Sequence, residues 1–497
     1  MEKKEEKGGF FIALFKFVPL VLFAVLLIVF QLDLLLAAPI ATFSAIFVYV
    51  ILNKTNFTEG FKPGLKAARN ITLIFFILMF AYGVAECFMA TGVGAALIRL
   101  SFWVGVNGRT VAPVALLTTC LLSIATGSSW GTFAACAPIF LWLSHLVGGD
   151  IILTVCAIAG GSCFGDNIGM ISDVTVLSCG MQDVKIIDRL KHQAVWSFGC
   201  LAIALVIFYV AGLKLPATAG DVTEAIKDIP EAVYGNLEES RPSAVQLLNQ
   251  VKEGVPTYMI IPMLVVIVMS FLKIHTLLCL GAGMVSSLIL GMLAGTVDFS
   301  TWLNNLLLKG FGDAGSWVVV MMLWIAAFGG IMNAMGAFDP LVKLTVKASP
   351  NTNFLMGWCG VLCFIGNMAL ADEAAQVVTM SPIVRKIVED NVVCENEDDA
   401  YRFRLRLATF TSSMGIYGSE LVPWHCFPVF FASIATAVYP LHEFTPGEII
   451  SKNFTSFLIV GTIILLTFTG LDRFIPGFGL PKTAKLKKQT NDYKTEA

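Results

Sequence analysis

Thr126-Gly127-Ser128-Ser129-Trp130-Gly131-Thr132 stops an apolar run, and the chain makes the same move again in its second half. After this first stop comes another apolar run, to Pro138, and then Gly160-Gly161-Ser162-Cys163-Phe164-Gly165-Asp166-Asn167. In the later counterpart an apolar run ends in Gly366-Asn367-Met368, Asp372-Glu373 follow, and a further run reaches Pro382. Ser412-Ser413-Met414-Gly415 and Gly418-Ser419-Glu420 come next. Interrupted hydrophobic segments at matching places in two halves point to the substrate site of a secondary transporter.

Composition places these breaks inside a membrane. Hydrophobic residues make up 57% and charged residues 14%, against about 45–50% and about 25% in soluble domains. Apolar stretches recur along the whole length, long enough to cross a hydrocarbon core of ~30 Å as helices. The fold class is therefore an all-α polytopic membrane protein. The charged N-terminus and the apolar run to Phe30 have the look of a signal peptide. A second run starts at Leu32, so the first is read as a retained span.

Expected segments are 11–30, 32–52, 70–91, 110–147, 150–180 and 193–213, then 255–272, 274–295, 315–335, 354–389, 401–440 and 453–471. Six match six in order. The breaks fall near 126–132 and 161–169 in the first half, and near 366–373 and 413–420 in the second. This gives a first transmembrane repeat over 1–213, a polar inter-repeat loop over 214–254, a second repeat over 255–473, and a basic cytoplasmic tail over 474–497. In each half the fourth segment (110–147, 354–389) reads as a re-entrant hairpin and the fifth (150–180, 401–440) as a broken helix. Each half then crosses five times, an odd number, and the two repeats are inverted. Basic residues agree with that parity. With both termini cytoplasmic, the outside keeps only Arg99, Arg109, Lys214, Lys227, Arg241, Lys252, Lys309 and Lys452 of the 33 Lys and Arg.

Several function classes are set aside. The 12 cysteines show no CxxC spacing and read as small buried hydrophobes. A net charge of −2, with basic residues at span ends, gives no reason to expect nucleic acid. Neither a Walker A sequence nor HExxH is present, so no cofactor is implied.

Ionisable residues at membrane depth are functional candidates by default. They are Glu86, Asp166 and Asp173 in the first half, and Asp372, Glu373 and Glu420 in the second, with His425 nearby. A broken helix frees N–H groups at one stub and C=O groups at the other; the first attract anions and the second cations. Thr126, Ser128, Ser129 and Thr132 add hydroxyls at the first hairpin tip, and Asp166, Asn167, Asp173 and Thr175 add oxygens beside it. Asn367, Asp372, Glu373 and Glu420 form the expected second half of the site. Asp372 and Glu373 also suit the N-cap and first turn of a helix. Such an oxygen set suits a hard cation.

These residues resemble a family. Thr126–Thr132, Phe164-Gly165-Asp166 and Ile171-Ser172-Asp173-Val174-Thr175-Val176-Leu177-Ser178 look like the NhaC-type Na+/H+ antiporter family, whose pattern reads approximately TGTSWGT, then FGDHCSPISDTT. Val422-Pro423-Trp424 resembles its IPW element. The resemblance implies Na+ ligands at Ser129, Thr132, Asp166 and Asp173, with Thr175 beside them. It also implies the opposed hairpins and elevator-like movement of the wider ion-transporter superfamily. The chain departs from the pattern twice. Asn167-Ile168-Gly169-Met170 stands where the family has His-Cys-Ser-Pro, and Ser413-Met414-Gly415-Ile416-Tyr417 where it has Glu-Asp-Ser-Gly-Thr. The expected function is exchange of Na+ for H+ across the cell membrane by alternating access, with the lipid bilayer as partner. The alternative is Na+- or H+-coupled transport of a small organic acid or amino acid. Elevator-type transporters are often dimers, which makes a homodimer a candidate assembly.

Overall fold

The computed structural model describes residues 2–30, 32–70, 72–169, 172–218, 242–272, 274–314, 317–336 and 344–487. The first half runs α1 (Glu2–Ile28), α2 (Leu34–Asn53), α3 (Phe57–Asn70), α4 (Thr72–Thr91), α5 (Val93–Trp103), α6 (Val111–Thr126), α7 (Ser129–Leu146), α8 (Ile151–Ile168), α9 (Asp173–Gln182) and α10 (Ile186–Ala211). Then come α11 (Pro242–Glu253), α12 (Ile261–Phe271), α13 (Thr276–Ala294), α14 (Leu308–Ala314) and α15 (Trp317–Ala334). The chain continues with α16 (Thr352–Leu370), α17 (Glu373–Asn391), α18 (Glu397–Ile416), α19 (Cys426–Val438), α20 (Pro446–Ser451) and α21 (Phe454–Thr469).

This is an all-α polytopic membrane protein. Helices at Leu34–Asn53, Ile151–Ile168, Ile186–Ala211, Leu277–Ala294 and Thr352–Leu370 are each long and apolar enough to cross a bilayer. The outer surface is apolar: Leu36, Ile40, Phe43, Phe47 and Ile51 make an exposed stripe along one face of α2, as Val195, Phe198, Val206 and Val210 do on α10. Polar residues go inward instead. Asn167, Asn367, Gln193, Arg189 and Glu420 are fully buried.

Two turns carry the same backbone geometry. Gly127 takes φ 63°, ψ 26°, and Ser128 then extends to φ −142°, ψ 117° to cap α7. In the second half Ala371 takes φ 52°, ψ 21°, and Asp372 extends to φ −144°, ψ 129° to cap α17. A left-handed residue followed by an extended N-cap reverses the chain in both places, and α7 packs on α6 as α17 packs on α16. Ala371 holds this conformation without glycine's freedom, at a cost of about 1–2 kcal/mol. The likeness extends one turn back. The Ser123 hydroxyl donates to the Ser162 carbonyl on α8, and the Asn367 amide donates to the Met414 carbonyl on α18.

The first broken helix differs from expectation in where it breaks. Helix α8 runs unbroken through Gly160, Gly161 and Gly165 to its C-cap at Gly169, and α9 opens at Asp173 under the Ser172 cap. Those glycines serve close packing. A Cβ on Gly161 would lie 1.9 Å from Thr119 Oγ1, and one on Gly165 2.2 Å from the Ile124 nitrogen, so α6 touches the α8 backbone directly. Helix α18 instead ends at Ile416, inside the expected 413–420 interval, and a 3-10 turn (Ser419–Leu421) leads to α19.

Two further expectations are corrected. The stretch 214–254 is not polar loop throughout. Its last part is α11, whose Ala244, Val245, Leu247, Leu248 and Val251 are buried. There Ser243 Oγ donates to Glu86 Oε2 at 2.5 Å and Gln250 to the Ala90 carbonyl at 2.7 Å; residues 219–241 lie outside the described part. The segment from 474 is not a free basic tail either. Lys485–Leu486 pair antiparallel with Val392–Val393, and Thr352 Oγ1 donates to the Ala484 carbonyl at 3.0 Å. Residues 488–497 lie outside the described part. Arg406 anchors this strap, although the positive-inside count placed it among the basic residues at span ends. Its guanidinium is fully buried, meets Asp472 Oδ2 at 3.0 Å and lies 3.9 Å from the Phe478 ring. Arg406→Ala strands a buried carboxylate and is expected to destabilise by about 3–5 kcal/mol. Arg385→Ala, losing a part-exposed pair with Glu389 and a 3.3 Å bond to the Met181 carbonyl, is expected to cost about 1 kcal/mol. Thermal unfolding of the two variants in detergent checks the contrast.

Candidate functional site

The first turn of α7 points its free N–H groups at the end of α8. Asp166 Oδ2 accepts from the Ser129 backbone N–H at 3.1 Å and from the Ser129 hydroxyl at 2.6 Å. Both residues are buried. A carboxylate at a helix N-terminus sits where the macrodipole favours negative charge. Ser128 spends its hydroxyl on the α7 cap, accepting from Gly131 N–H at 3.3 Å, and Thr132 is buried one turn on. The side chains of Thr126 and Asp173 are outside the described part; Asp173 opens α9 under a Ser172 cap.

The carbonyl end of α8 is occupied by a residue the sequence reading treated only as an interface charge. Arg189 Nη1 donates to the Asn167 carbonyl and to Thr175 Oγ1, both at 3.0 Å. Gln193 reaches Asn167 Oδ1 at 3.1 Å, and Thr175 donates to the Asp166 and Asn167 carbonyls at 3.4 and 3.3 Å. Thr175 therefore satisfies orphan carbonyls. The negative end of the α8 dipole is met by the protein's own guanidinium, so a transported cation is not needed there. Arg189, Gln193 and Ser197, four apart on an apolar helix, were the signal that marks this face.

The second half divides its expected residues among three places. Asn367 donates to Ser419 Oγ at 3.0 Å and lies 3.2 Å from His425 Nε2, closing a network at the α18–α19 break. Asp372 caps α17 through Ala375 N–H at 2.7 Å, and Glu373 Oε1 takes the Trp130 indole N–H at 3.4 Å. The two turns thus meet through Trp130, whose ring stacks on Phe427 at 4.5 Å. Glu420 points away from this group and accepts from Ser456 on α21.

Gly127-Ser128-Ser129-Trp130-Gly131 also spells GxSxG, the elbow of serine hydrolases. Here it joins two helices rather than a strand and a helix. The Ser129 hydroxyl donates to a carboxylate, with no histidine bonded to it among the described residues. No group of three or more His, Cys, Asp or Glu that could hold a metal ion occurs among the described residues.

A sequence model of the Na+/H+ antiporter family matches residues 9–178 and 161–471, nearly the whole chain. The chain belongs to the Na+/H+ antiporter family. Among curated relatives, the arginine/ornithine antiporter ArcD of Halobacterium salinarum is 24% identical over 80% of this chain and 78% of its own. The malate-2H+/Na+-lactate antiporter of Bacillus subtilis is 22% identical over 71% and 72%. The Na+/H+ antiporter NhaC of Alkalihalophilus pseudofirmus is 20% identical over 76% and 77%.

Within this family pattern the two departures of the chain touch each other. Asn167 Nδ2 donates to Ser412 Oγ at 3.0 Å and stands 3.4 Å from Ser413 Oγ. A neutral amide–hydroxyl link joins the halves where the pattern has a histidine in one stretch and acidic residues in the other.

Proposed function

We propose that this chain is a secondary active antiporter that exchanges Na+ for H+ across the cell membrane by alternating access, with Asp166 binding either cation in turn. The carrying observation is the Asp166–Ser129 contact. One buried carboxylate joins the tip of the α6–α7 hairpin to the end of α8, so its charge state is felt by both elements at once. With Na+, the Asp166 carboxylate and the hydroxyls of Ser129 and Thr132 supply oxygen donors, and Asp173, which opens α9, completes the expected set. With H+, the carboxyl is neutral and the site carries no cation. Asn367, Asp372 and Glu373 shape the facing half. The chain works as a transporter rather than an enzyme, with Na+ and H+ as cargo and no cofactor.

The topology that goes with this reading has ten crossings, two opposed re-entrant hairpins in inverted repeats, and both termini in the cytoplasm. The matching Gly127–Ser128 and Ala371–Asp372 turns support it. Elevator-like movement and a homodimer complete the proposal.

The test is purified protein in liposomes with an internal pH dye and a Na+ gradient, repeated with Li+ and K+. Proton movement opposite to Na+, and none with K+, is the expected result. A second reading, coupled transport of a small carboxylate or amino acid, is favoured by Arg189. It is fully buried, and its Nε and Nη2, the edge that grips a carboxylate side-on, close no hydrogen bond. The names of two relatives, an arginine/ornithine and a malate/lactate antiporter, lean the same way. A silent pH dye with folded protein would shift the assignment to that reading, to be pursued by Na+-dependent uptake of carboxylates and amino acids.

A further inference from the structure

We propose that Glu420 is a second proton-carrying carboxyl, separate from Asp166, in a buried polar cluster between α8 and the first turn of α21. This rests on the Na+/H+ exchange reading and adds a proton to its stoichiometry. Glu420 is fully buried in the 3-10 turn after α18, and its Oε2 accepts from the Ser456 hydroxyl. The Cys163 thiol and the Asn453 amide also face this carboxyl, and Thr455 Oγ1, fully buried in the same cluster, has no hydrogen-bond partner. Asn453 caps α21 with its Oδ1 on the Ser456 N–H at 3.2 Å, which turns its Nδ2 away from the helix. The cluster presses on α8 at a glycine. A Cβ on Gly160 would lie 2.8 Å from Thr455 Oγ1 and 2.9 Å from Asn453 Oδ1. One turn along α8, the Cys163 thiol interacts with both Glu420 and Ser129. Asp166 and Glu420 are thus two carboxyls, each held by one serine in the first turn of a helix and linked through Cys163.

The chemistry of the cluster selects a proton. Burying a carboxylate without a cation costs several kcal/mol, and Glu420 is in no ion pair among the described residues. A hard metal ion gathers about six oxygens, whereas the cluster offers little beyond the Glu420 carboxyl and Thr455 Oγ1. A proton on the carboxyl removes the charge with no further ligand. It arrives from water on one side and returns to water on the other, with no other bond made or broken. The groups facing Glu420 leave this exchange to it. On α8 they are Cys163 and Cys156, and on its own connection Tyr417. On α20 there is Glu448, already bonded to His442 and Thr445. The Asp150–Lys452 pair closes the far end.

The test measures where flux stops. In liposomes clamped at zero membrane potential, a hundredfold Na+ gradient is balanced by a pH difference of about one unit if two protons exchange for one Na+, and about two units for one proton, since a tenfold ratio of either ion carries the same free energy. Wild type is expected to balance near one unit and Glu420→Gln near two. Wild type balancing at two, or Glu420→Gln balancing where wild type does, overturns the proposal and leaves the antiport reading intact. Should Glu420→Gln not accumulate, Ser456→Ala serves. It keeps the carboxyl, so the balance point is expected to stay at one unit while the pH profile of exchange moves; an unmoved profile counts against Glu420. Wild type with no Na+-driven proton movement overturns the antiport reading and this proposal with it.

Discussion

Asp166→Asn is expected to lower Na+-driven proton exchange at least about a hundredfold, equivalent to ~2.7 kcal/mol on the barrier, while leaving the protein folded. The amide is nearly the shape of the carboxylate, and its oxygen still accepts from the Ser129 N–H and hydroxyl. What it loses is the charge that attracts Na+ and the site that takes up H+. Ser129→Ala is the milder companion. It removes one charge-assisted bond, worth about 1.5–3 kcal/mol, and keeps the carboxylate and the backbone N–H. The expected order of exchange rates, at equal protein in the liposomes, is wild type, Ser129→Ala, Asp166→Asn. Asp166→Asn exchanging at the wild-type rate would sink the carboxylate mechanism.

Gly165→Ala is expected to be the most damaging single-methyl change near the site. The new Cβ would lie 2.2 Å from the Ile124 nitrogen and 2.4 Å from the Ser123 carbonyl carbon. Both are backbone, so no flexible side chain can give way, and α6 must move off α8. Overpacking of this kind costs about 1–3 kcal/mol or more. Here the displaced helix also carries Gly127, Ser128 and Ser129, so the serine is pulled from Asp166 and exchange falls with stability. Gly199→Ala, with nothing within 4 Å of its new Cβ, is the control. Equal melting temperatures for the two variants would show that α6 and α8 do not approach so closely.

The same glycines show how far sequence reasoning reached. Gly160, Gly161 and Gly165 in an apolar run read as a break, because glycine weakens a helix in water-based intuition. In a membrane, small residues instead let backbones touch, and α8 stays helical to Ile168. Gly127 was read correctly as an interruption because Ser128 and Ser129 follow it, a cap signature. The later break was likewise expected at 366–373, with Asp372 suited to cap the next helix, and the φ of 52° shows that Ala371, without a glycine, makes the turn. Arg189 and Arg406 were both taken for interface charges. Each was counted as lying at the water boundary, whereas a buried arginine is told from an exposed one by its partners, and these lie far away in sequence: Thr175 and Asn167 for the first, Asp472 and Phe478 for the second.

By itself the sequence determined the solvent of this protein, its helical class and its two hairpin turns, near 126–132 and 366–373. Those follow from local chemistry, since apolar length decides what crosses lipid and a capping residue decides where the next helix starts. Its motifs also sufficed to indicate the antiporter family. Only the tertiary structure decided which oxygens share a site. Asp166 meets Ser129 across 37 positions, Asn167 meets Ser412 across 245, and Glu420 turns to Ser456 rather than to Asn367. Buried polar groups must find partners wherever packing brings them, and that depends on how helices stack, which no local pattern encodes.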